Sequence, residues 1–289
     1  MNEKNTAAVY RVLDSGNGRK LEQAGPWRII RPALCAWWAP TLPENEWRKA
    51  DAEYIRDASG SGRWTGKRLP EKWIVEYSGF KLELRPTGFG HLGFFGEQYS
   101  NWKRFVDLGR KMTVSGETVN SLNLFAYSGV GSLAMAKGGF KVCHVDAAKG
   151  MIDWGRGNLE YNRDVPDAIR WIVDDVNKFC KREIRRERRY RLIALDPPSF
   201  GRGAKGEVWK IGEDLPPLLD MCRELLEPDG EAYVFLSCHS PGFSPHALSR
   251  LLLDRMGNGE IEDFEMSIPE AGSGRNLPAG FCAVWKRDK

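Results

Sequence analysis

The sequence predicts an α/β protein: a doubly wound, mostly parallel sheet preceded by a small β-rich domain. Five strand-then-helix patterns follow one another between residues 122 and 256, an alternation typical of parallel sheets with helices on both faces. Two more strand patterns, at 264–268 and 281–285, are joined by a glycine-rich loop and predict an antiparallel edge, which brings the sheet to seven strands. Residues 1–90 lack this alternation and are rich in tryptophan, so we predict domains at 1–90 and 91–289.

The first of these strands, Leu122–Tyr127, leads into a glycine turn and a predicted helix at Gly131–Lys137. Glycine lets a backbone approach a ligand closely, and the N-terminus of a helix presents unpaired N–H groups. A strand, a glycine turn and a helix in this order predict a nucleotide-binding pocket. The spacing Gly129-x-Gly131-x-x-Ala134 also fits a turn that binds NAD, so the turn alone leaves the cofactor open.

The other elements are predicted from hydrophobic periodicity and turn residues. The predicted strands are 141–146, 168–173, 191–195 and 232–237, and the predicted helices are 99–111, 149–162, 176–189, 214–226 and 245–256. In the N-terminal domain, strand patterns lie at 9–13, 27–30, 73–77 and 80–84. The tryptophans of that domain either pack in a core or form a surface on which bases stack.

The composition excludes several classes of protein. The chain is 42% hydrophobic and 28% charged, and no apolar run approaches the roughly 20 residues that span a bilayer. The six cysteines and four histidines are dispersed, so we expect no metal site and a reducing compartment. With no apolar signal core at the N-terminus, we expect a cytoplasmic protein. The net charge of +4 permits a nucleic-acid partner without requiring one.

Polar or conformationally special residues follow all five predicted parallel strands, at the edge where ligands of doubly wound sheets bind. They are Ser128-Gly129, Asp146, Asp174-Asp175, Asp196-Pro197-Pro198-Ser199-Phe200 and Ser237-Cys238-His239-Ser240. Asp146 could accept both ribose hydroxyls, and an aspartate after the third strand could accept from an adenine amino group. Each also has a structural explanation, as a helix N-cap, a rigid turn or a buried apolar cysteine. Their coincidence predicts one binding crevice.

Together these residues resemble the S-adenosylmethionine-dependent methyltransferases related to bacterial large-subunit rRNA cytosine-5 methyltransferases. The resemblance covers about residues 85 to 289 and is most specific in the Asp-Pro-Pro-Ser-Phe run at 196–200. Phe94-Phe95-Gly96-Glu97-Gln98 is similar to a cofactor element that precedes the core in that family. The chain looks most like a branch without the N-terminal PUA domain. The resemblance implies a Rossmann-like class I fold, S-adenosylmethionine as cofactor and RNA as substrate, with ribosomal RNA as the expected kind.

The resemblance also implies roles for single residues. The turn at 127–131 would hold the methionine part of the cofactor, Asp146 the ribose, and Asp175 or Asp174 the adenine. The implied cofactor-binding set is Glu97, Gln98, Asn123, Phe125, Tyr127, Gly129, Gly131, Asp146, Asp174, Asp175, Asp196 and Pro197. The implied substrate-binding set is Pro198, Phe200, Arg202 and Lys205, the last two in a glycine-rich basic loop that suits a lid on phosphate.

Catalysis at cytosine C5 would need a nucleophile. C5 is a poor nucleophile until a thiolate adds to C6, and a base must later remove the C5 proton. Cys238 matches the family's cysteine at the end of the fifth strand, although His239 stands where some members have serine. Asp196 is the candidate to hold the cytosine edge or assist proton transfer, and the base would enter unstacked.

Three alternative functions, and the role of one basic segment, stay open from the sequence. Asp-Pro-Pro-Ser-Phe also resembles a motif that holds an amino nitrogen, which predicts methylation of an exocyclic base nitrogen, or of a non-RNA substrate, without Cys238. A non-catalytic RNA-binding module that retains the cofactor is a second possibility, and an NAD dehydrogenase is a third. The basic run at 181–191 is either a solvated helix face or a contact for RNA phosphates.

Overall fold

The computed structural model describes residues 8–57, 62–114, 116–203, 206–240, 242–271 and 273–288. The chain forms two compact units. The first consists of Met1–Glu97 and Ser267–Ala279, and the second of Gln98–Met266 and Gly280–Lys289. In the part of the chain described, no helix is both long and apolar enough to cross a bilayer.

The first unit is built on a five-stranded sheet, which confirms the predicted β-rich region. Its strands are β1 (Tyr10–Gly16), β2 (Arg19–Ala24), β3 (Trp27–Pro32), β4 (Ala52–Arg56) and β5 (Gly62–Gly66), in that spatial order, with the short helix α1 (Glu44–Trp47) before β4. Of the neighbouring pairs, β3 and β4 are parallel and the other three are antiparallel. A separate antiparallel hairpin is formed by β6 (Trp73–Tyr77) and β7 (Phe80–Leu84).

A buried ion pair lies within this sheet. Arg31 donates from Nε and Nη2 to the two carboxylate oxygens of Glu22 at 2.6 and 2.7 Å. Burial disfavours the charged carboxylate of Glu22, but Arg31 and Lys20 outweigh burial and lower its pKa to about 2. The pair therefore stays ionised, and its geometry ties β2 to β3.

The segment 267–279 completes the first unit, which the sequence did not predict. The buried carboxylate of Asp14 accepts hydrogen bonds from Trp47 Nε1 at 3.1 Å and from Arg275 Nη2 at 2.7 Å. Arg275 Nε also donates to Glu270 at 3.0 Å. Because an unpaired buried carboxylate is strongly destabilising, the returning segment supplies a partner that Asp14 requires.

The second unit contains the predicted doubly wound sheet. Its strands are β8 (Asn120–Leu124), β9 (Lys141–Asp146), β10 (Ile169–Val173), β11 (Leu192–Leu195), β14 (Ala232–Cys238), β15 (Glu260–Pro269) and β16 (Asn276–Arg287). The spatial order is β10-β9-β8-β11-β14-β16-β15. The first five run parallel, and β16 is antiparallel to β14. This confirms the mostly parallel sheet of seven strands with an antiparallel edge.

Helices connect the parallel strands as predicted. They are α2 (Tyr99–Met112), which precedes the sheet, α3 (Val130–Gly138), α4 (Lys149–Tyr161), α5 (Val176–Arg185), α6 (Ile211–Leu225) and α7 (Pro245–Met256). A small hairpin of β12 (Phe200–Arg202) and β13 (Val208–Lys210) lies between β11 and α6, where a glycine-rich loop was predicted. Because the five parallel strands share one direction, their carboxyl ends meet along one edge of the sheet.

The basic run at 181–191 is partly structural. Helix α5 ends at Arg185, four residues before its predicted end, and Glu187 takes the left-handed conformation at φ 56°. Glu183, which is fully buried, accepts from Tyr190 Oη at 2.6 Å and from Arg186 at 3.3 Å. The turn after α5 is thus anchored on one buried carboxylate. It lies before β11, at the opposite edge of the sheet from the strands' carboxyl ends.

Candidate active site

The turn after β8 has an unusual backbone. Phe125, Tyr127 and Gly129 all lie in the left-handed region, with φ of 54°, 50° and 87°. For residues other than glycine this conformation costs roughly 1–2 kcal/mol each, and such strain concentrates at functional sites. The first predicted strand therefore ends at Leu124 rather than Tyr127, and Gly129 directly precedes the N-terminus of α3.

Asp146, at the end of β9, holds this turn in place. Its Oδ2 accepts from the backbone N–H of Tyr127 and its Oδ1 from that of Ala148, both at 2.9 Å. Burial raises the pKa of Asp146, although the two N–H donors act in the opposite direction. Each carboxylate oxygen keeps a second lone pair, so the side chain can also accept from the two hydroxyls of a ribose.

Beneath the turn lies a buried polar chain of three side chains. Asn123 Nδ2 donates to Ser132 Oγ at 3.0 Å, and Ser132 Oγ lies 2.9 Å from His144 Nδ1. The serine hydroxyl accepts from Asn123 and keeps both a proton and a second lone pair, so the tautomer of the His144 ring sets which of the two groups donates in this second hydrogen bond. Burial lowers the pKa of His144 to about 3, which keeps the ring neutral. Asn123 thus links β8 to α3, and a Cβ at Gly131 would lie 3.2 Å from its Nδ2.

The two aspartates after β10 have different contacts. Asp175 is the N-cap of α5 and accepts from the N–H of Lys178 at 2.9 Å. Asp174 forms an ion pair with Arg182, and its own N–H donates to the carbonyl of Asp146 at 3.1 Å. Both residues therefore lie beside the second strand end, as expected for an adenine-binding position, and both also have structural partners.

A second polar cluster is centred on Asp196, at the end of β11. Gln98 Nε2 donates to its Oδ2 at 2.9 Å, and His239 Nδ1 lies 3.1 Å from its Oδ1. Gln98 is held in turn by Asn101, whose Nδ2 donates to Gln98 Oε1 at 2.8 Å. The structure thus brings together two predicted site residues and adds His239 and Asn101. His239 follows a strand end, which is a usable signal, whereas nothing local marks Asn101 on its helix.

Cys238 has no exposed surface and belongs to the hydrophobic core of the second unit. Burial raises the pKa of its thiol, although the N–H of Ser240 points at its Sγ from 3.4 Å. The neutral thiol is therefore the dominant form at neutral pH. The cysteine is the last residue of β14, which pairs with β11. Because Leu195 pairs with Leu236, the ends of these two strands, with Asp196 and Cys238, lie at the same edge of the sheet.

Three of the predicted substrate-binding residues lie after β11 in an ordered segment at the edge of the sheet. Pro197 is buried after β11, and the carbonyl of Pro198 accepts from Trp209 Nε1 at 2.7 Å. The Phe200 ring is 53% exposed, and the Arg202 guanidinium lies 5.9 Å from its centre. Lys205 lies outside the described residues.

Two contacts around this segment were missed by the sequence reasoning. The ring of Trp209 packs edge-on against Phe125 with centroids 4.8 Å apart, which joins the hairpin to the left-handed turn. Ser199 and Ser240 hydroxyls lie 2.6 Å apart and join the ends of two neighbouring strands. The remaining predicted residue, Glu97, is buried in the first unit, within the short 3-10 helix Gly96–Gln98. In the described part of the chain, no cluster of three acidic, histidine or cysteine side chains is arranged to hold a metal ion.

The site's donors and acceptors fit a nucleoside cofactor. The left-handed turn precedes a helix N-terminus, and the Asp146 carboxylate keeps acceptor capacity for a diol. Fold and site thus define a doubly wound α/β protein with a site suited to a nucleoside cofactor. A family described as S-adenosylmethionine-dependent methyltransferase matches residues 54–251, and the chain belongs to this family. The protein is therefore an enzyme whose cofactor is S-adenosylmethionine.

Solved structures agree with this assignment. A SAM-dependent methyltransferase from Agrobacterium tumefaciens is 37% identical, with a TM-score of 0.89 over 97% of this chain and 91% of that one. A proposed SAM-dependent methyltransferase from Streptococcus mutans is 16% identical, with a TM-score of 0.73 over 98% of this chain and 76% of that one. At that identity the second structure shows the fold alone.

Curated relatives match a shorter part of the chain. Ribosomal RNA large subunit methyltransferase K/L of Shewanella frigidimarina is 30% identical over 168 residues, which are 55% of this chain and 21% of that protein. Ribosomal RNA large subunit methyltransferase K of Neisseria meningitidis is 30% identical over 142 residues, 47% of this chain and 40% of that protein. The matches therefore span between a fifth and two fifths of these relatives.

Proposed function

We propose that this methyltransferase modifies a base of ribosomal RNA at the edge formed by Asp196 and Phe200. The observation that carries the proposal is the Asp196 carboxylate, which Gln98 and His239 orient at the end of β11. The exposed ring of Phe200 follows it by four residues and offers a face on which an unstacked base can lie. The curated relatives, named as methyltransferases of large-subunit rRNA, support this substrate class.

For the cofactor, the residues divide into three groups. The turn at 125–129 would hold the methionine part, Asp146 the ribose hydroxyls, and Asp174 or Asp175 the adenine amino group. When bound, S-adenosylmethionine supplies an electrophilic methyl group on its sulfonium. Asp196 would accept a hydrogen bond from an amino group of the target base. Each of its two oxygens has one protein partner, Gln98 or His239, and keeps a lone pair for the base.

The burial of Cys238 favours transfer to an exocyclic nitrogen. In that route the nitrogen lone pair would attack the methyl carbon while the carbon–sulfur bond of the sulfonium breaks and S-adenosylhomocysteine leaves, and the proton that the nitrogen releases would pass to the Asp196–His239 pair. His239 is partly exposed, so the proton can continue to solvent. No thiolate is needed, which suits a thiol without exposed surface and with a raised pKa.

Methylation of cytosine C5 is the second candidate, and the position of Cys238 favours it. In this route Cys238 would lose its thiol proton to a base and add to C6, and C5 would take the methyl while the carbon–sulfur bond of the sulfonium breaks and S-adenosylhomocysteine leaves. A base would then remove the C5 proton, and the thiolate would leave C6. The N–H of Ser240 at 3.4 Å from Sγ would stabilise the thiolate, and the neighbouring strand end carries Asp196. The route needs Cys238 to become accessible when the base enters.

Labelling of RNA tests the proposal directly. The purified protein is incubated with methyl-labelled S-adenosylmethionine and deproteinised large-subunit rRNA, and the labelled nucleoside is identified by mass spectrometry. We expect an N-methylated base; 5-methylcytidine would select the second route, and an unlabelled RNA would overturn the substrate class. Asp196→Asn should lower turnover by roughly 10²–10⁴-fold in either base route. Its urea denaturation, compared with that of the wild type, serves as the check on folding.

Alanine variants of two buried cysteines distinguish transfer to nitrogen from transfer to C5. Cys238→Ala and Cys222→Ala both remove a thiol without exposed surface, and Cys222 lies in α6, away from the strand ends. Transfer to nitrogen predicts that both variants retain turnover within a few-fold. Transfer to C5 predicts that only Cys238→Ala loses it, by more than about a thousandfold, because the covalent step is gone.

A further inference from the structure

The first unit presents an aromatic ring to solvent on a tightly held loop. Phe89 lies between β7 and the 3-10 helix, and 72% of its surface is exposed. Its loop is closed on itself by the N–H of Thr87 to the carbonyl of His91 at 3.0 Å and that of Gly90 to the carbonyl of Thr87 at 3.1 Å. The ring therefore stands at the tip of an ordered turn.

The same loop is fastened to the β4–β5 hairpin. Tyr54 Oη donates to the carbonyl of Gly88 at 2.8 Å, and Trp64 Nε1 donates to that of Thr87 at 2.9 Å. Gly90 has φ of 76°, and a Cβ there would come within 2.5 Å of the Tyr54 ring, so the loop lies flat on that ring. A Cβ at Gly88 would meet nothing within 4 Å, which leaves space beside Phe89. Because the loop is already ordered, a ligand that contacts the Phe89 ring would cost the protein little conformational entropy.

One exposed cation, Arg56, lies near this loop. Arg56 is exposed and follows Tyr54 by two residues on β4, so it lies on the same face of the strand as the ring under the loop. Burial and three cations, Arg31, Arg56 and Lys20, lower the pKa of His91 to about 4, while Glu97 acts in the opposite direction. Arg31 and Lys20 face the single carboxylate of Glu22, which leaves Arg56 as the outward cation of the group.

We propose that Phe89 and Arg56 bind a single-stranded segment of the RNA substrate, with an unpaired base stacked on the ring and a phosphate on the guanidinium. The inference rests on the proposed function. An exposed aromatic ring on this loop and an exposed cation on the strand beneath the loop match the chemistry of an unpaired nucleotide, whose base has a flat π-face and whose phosphate is anionic. In a duplex the base faces are stacked on one another, so a single strand is the form that fits.

Binding by fluorescence anisotropy tests the proposal, with a labelled twelve-nucleotide single-stranded RNA and the matching duplex as probes. Phe89→Ala should weaken binding of the single strand roughly five- to hundredfold, the usual range for one lost base stack, whereas Phe89→Tyr should retain it. Arg56→Gln should lower the salt dependence by about 0.7 in slope, because one phosphate contact is lost. Leu34→Ala is the matched control: that residue is 68% exposed in the same unit but has no ring.

The outcomes distinguish this proposal from the function on which it rests. If the wild type labels RNA but Phe89→Ala, Phe89→Tyr and Leu34→Ala bind the single strand equally well, the Phe89 contact is wrong and the function stands. If the wild type neither labels nor binds RNA, the proposed substrate class itself fails. A stronger effect on the duplex than on the single strand would also overturn the contact. Far-UV circular dichroism and urea denaturation of each variant verify that the first unit is folded.

Discussion

Asp146 shows how one side chain serves both the fold and the site. Its two oxygens already accept backbone N–H groups from the strained turn and from the start of the following segment. The remaining lone pairs point away from these donors and are available to a ligand. Cofactor affinity and turn geometry should therefore depend on the same carboxylate.

We expect Asp146→Asn to weaken the binding of S-adenosylhomocysteine by about 10- to 100-fold, since hydrogen bonds to a charged acceptor contribute roughly 1.5–3 kcal/mol. The amide also presents an NH₂ group where one backbone N–H now donates. Calorimetry measures the affinity, and Asp153→Asn on the exposed face of α4 is the control. Equal affinity in both variants would contradict a ribose-binding role.

At this scale the sequence predicted candidate site residues but not the contacts that they make. Asp196 could be recognised from its motif, because Asp-Pro-Pro after a strand is a local pattern. Its partner Gln98 lies 98 positions away along the chain, and no local rule predicts that pair. The complete burial of Cys238 likewise depends on packing by helices that the sequence places only approximately.

At the scale of elements, the contact between α4 and β10 limits the size of the side chains that fit next to the turn after β8. The ring of Trp171, on β10, packs where α4 presents Gly155, and a Cβ at that glycine would lie 2.5 Å from the ring. The same ring lies 3.1 Å from a Cβ built at Gly129 in the left-handed turn. Trp171 therefore connects the helix, the strand and the turn.

Two glycines of α4 provide a matched pair for testing this contact. Gly155→Ala should lower the free energy of unfolding by about 1–3 kcal/mol, the usual cost of overpacking. Gly157→Ala should raise it by roughly 0.5–1 kcal/mol, because a Cβ there meets nothing within 4 Å and alanine favours the helix. Urea denaturation measures both, and the same sign for the two variants would refute the packing argument.

The elements themselves were largely predictable. Alternation of apolar strands and amphipathic helices predicted all five βα units, because burial on both faces of a parallel sheet leaves a strong periodic pattern. The ends of the elements were predicted less well. The first strand stops early because Phe125 and Tyr127 adopt a conformation that their residue types disfavour, and the β12–β13 hairpin lies in a stretch whose glycines predicted a loop.

For the whole molecule, acid should destabilise both units through neutral histidines. The folded-state pKa values are about 4 for His91 and about 3 for His144, below the ordinary 6.5. Between these values and pH 6.5 the unfolded chain binds more protons, so stability is greatest above pH 6.5 and falls as the pH drops. From pH 7 to pH 5, His144 alone should remove about 2 kcal/mol from the free energy of unfolding.

Urea titrations at pH 7, 6 and 5 check this expectation. In His144→Gln the second unit should lose the corresponding part of the pH dependence, because the group that gains a proton on unfolding is gone. The readout is the slope of the free energy of unfolding against pH. A constant loss of stability from the altered hydrogen bond to Ser132 does not change this slope. An unchanged slope would mean that His144 is protonated at the same pH in the folded and unfolded chain.

Because residues 267–279 belong to the first unit, that unit cannot complete its folding early in synthesis on the ribosome. Arg275 and its partner Asp14 are 261 positions apart, so the unit whose synthesis begins first is completed only after the chain has passed residue 279. Until then, the Asp14 carboxylate lacks its guanidinium. Nascent chains stalled at residue 266 should therefore be cleaved readily in the first unit by a pulse of protease, and released full-length chains should resist it.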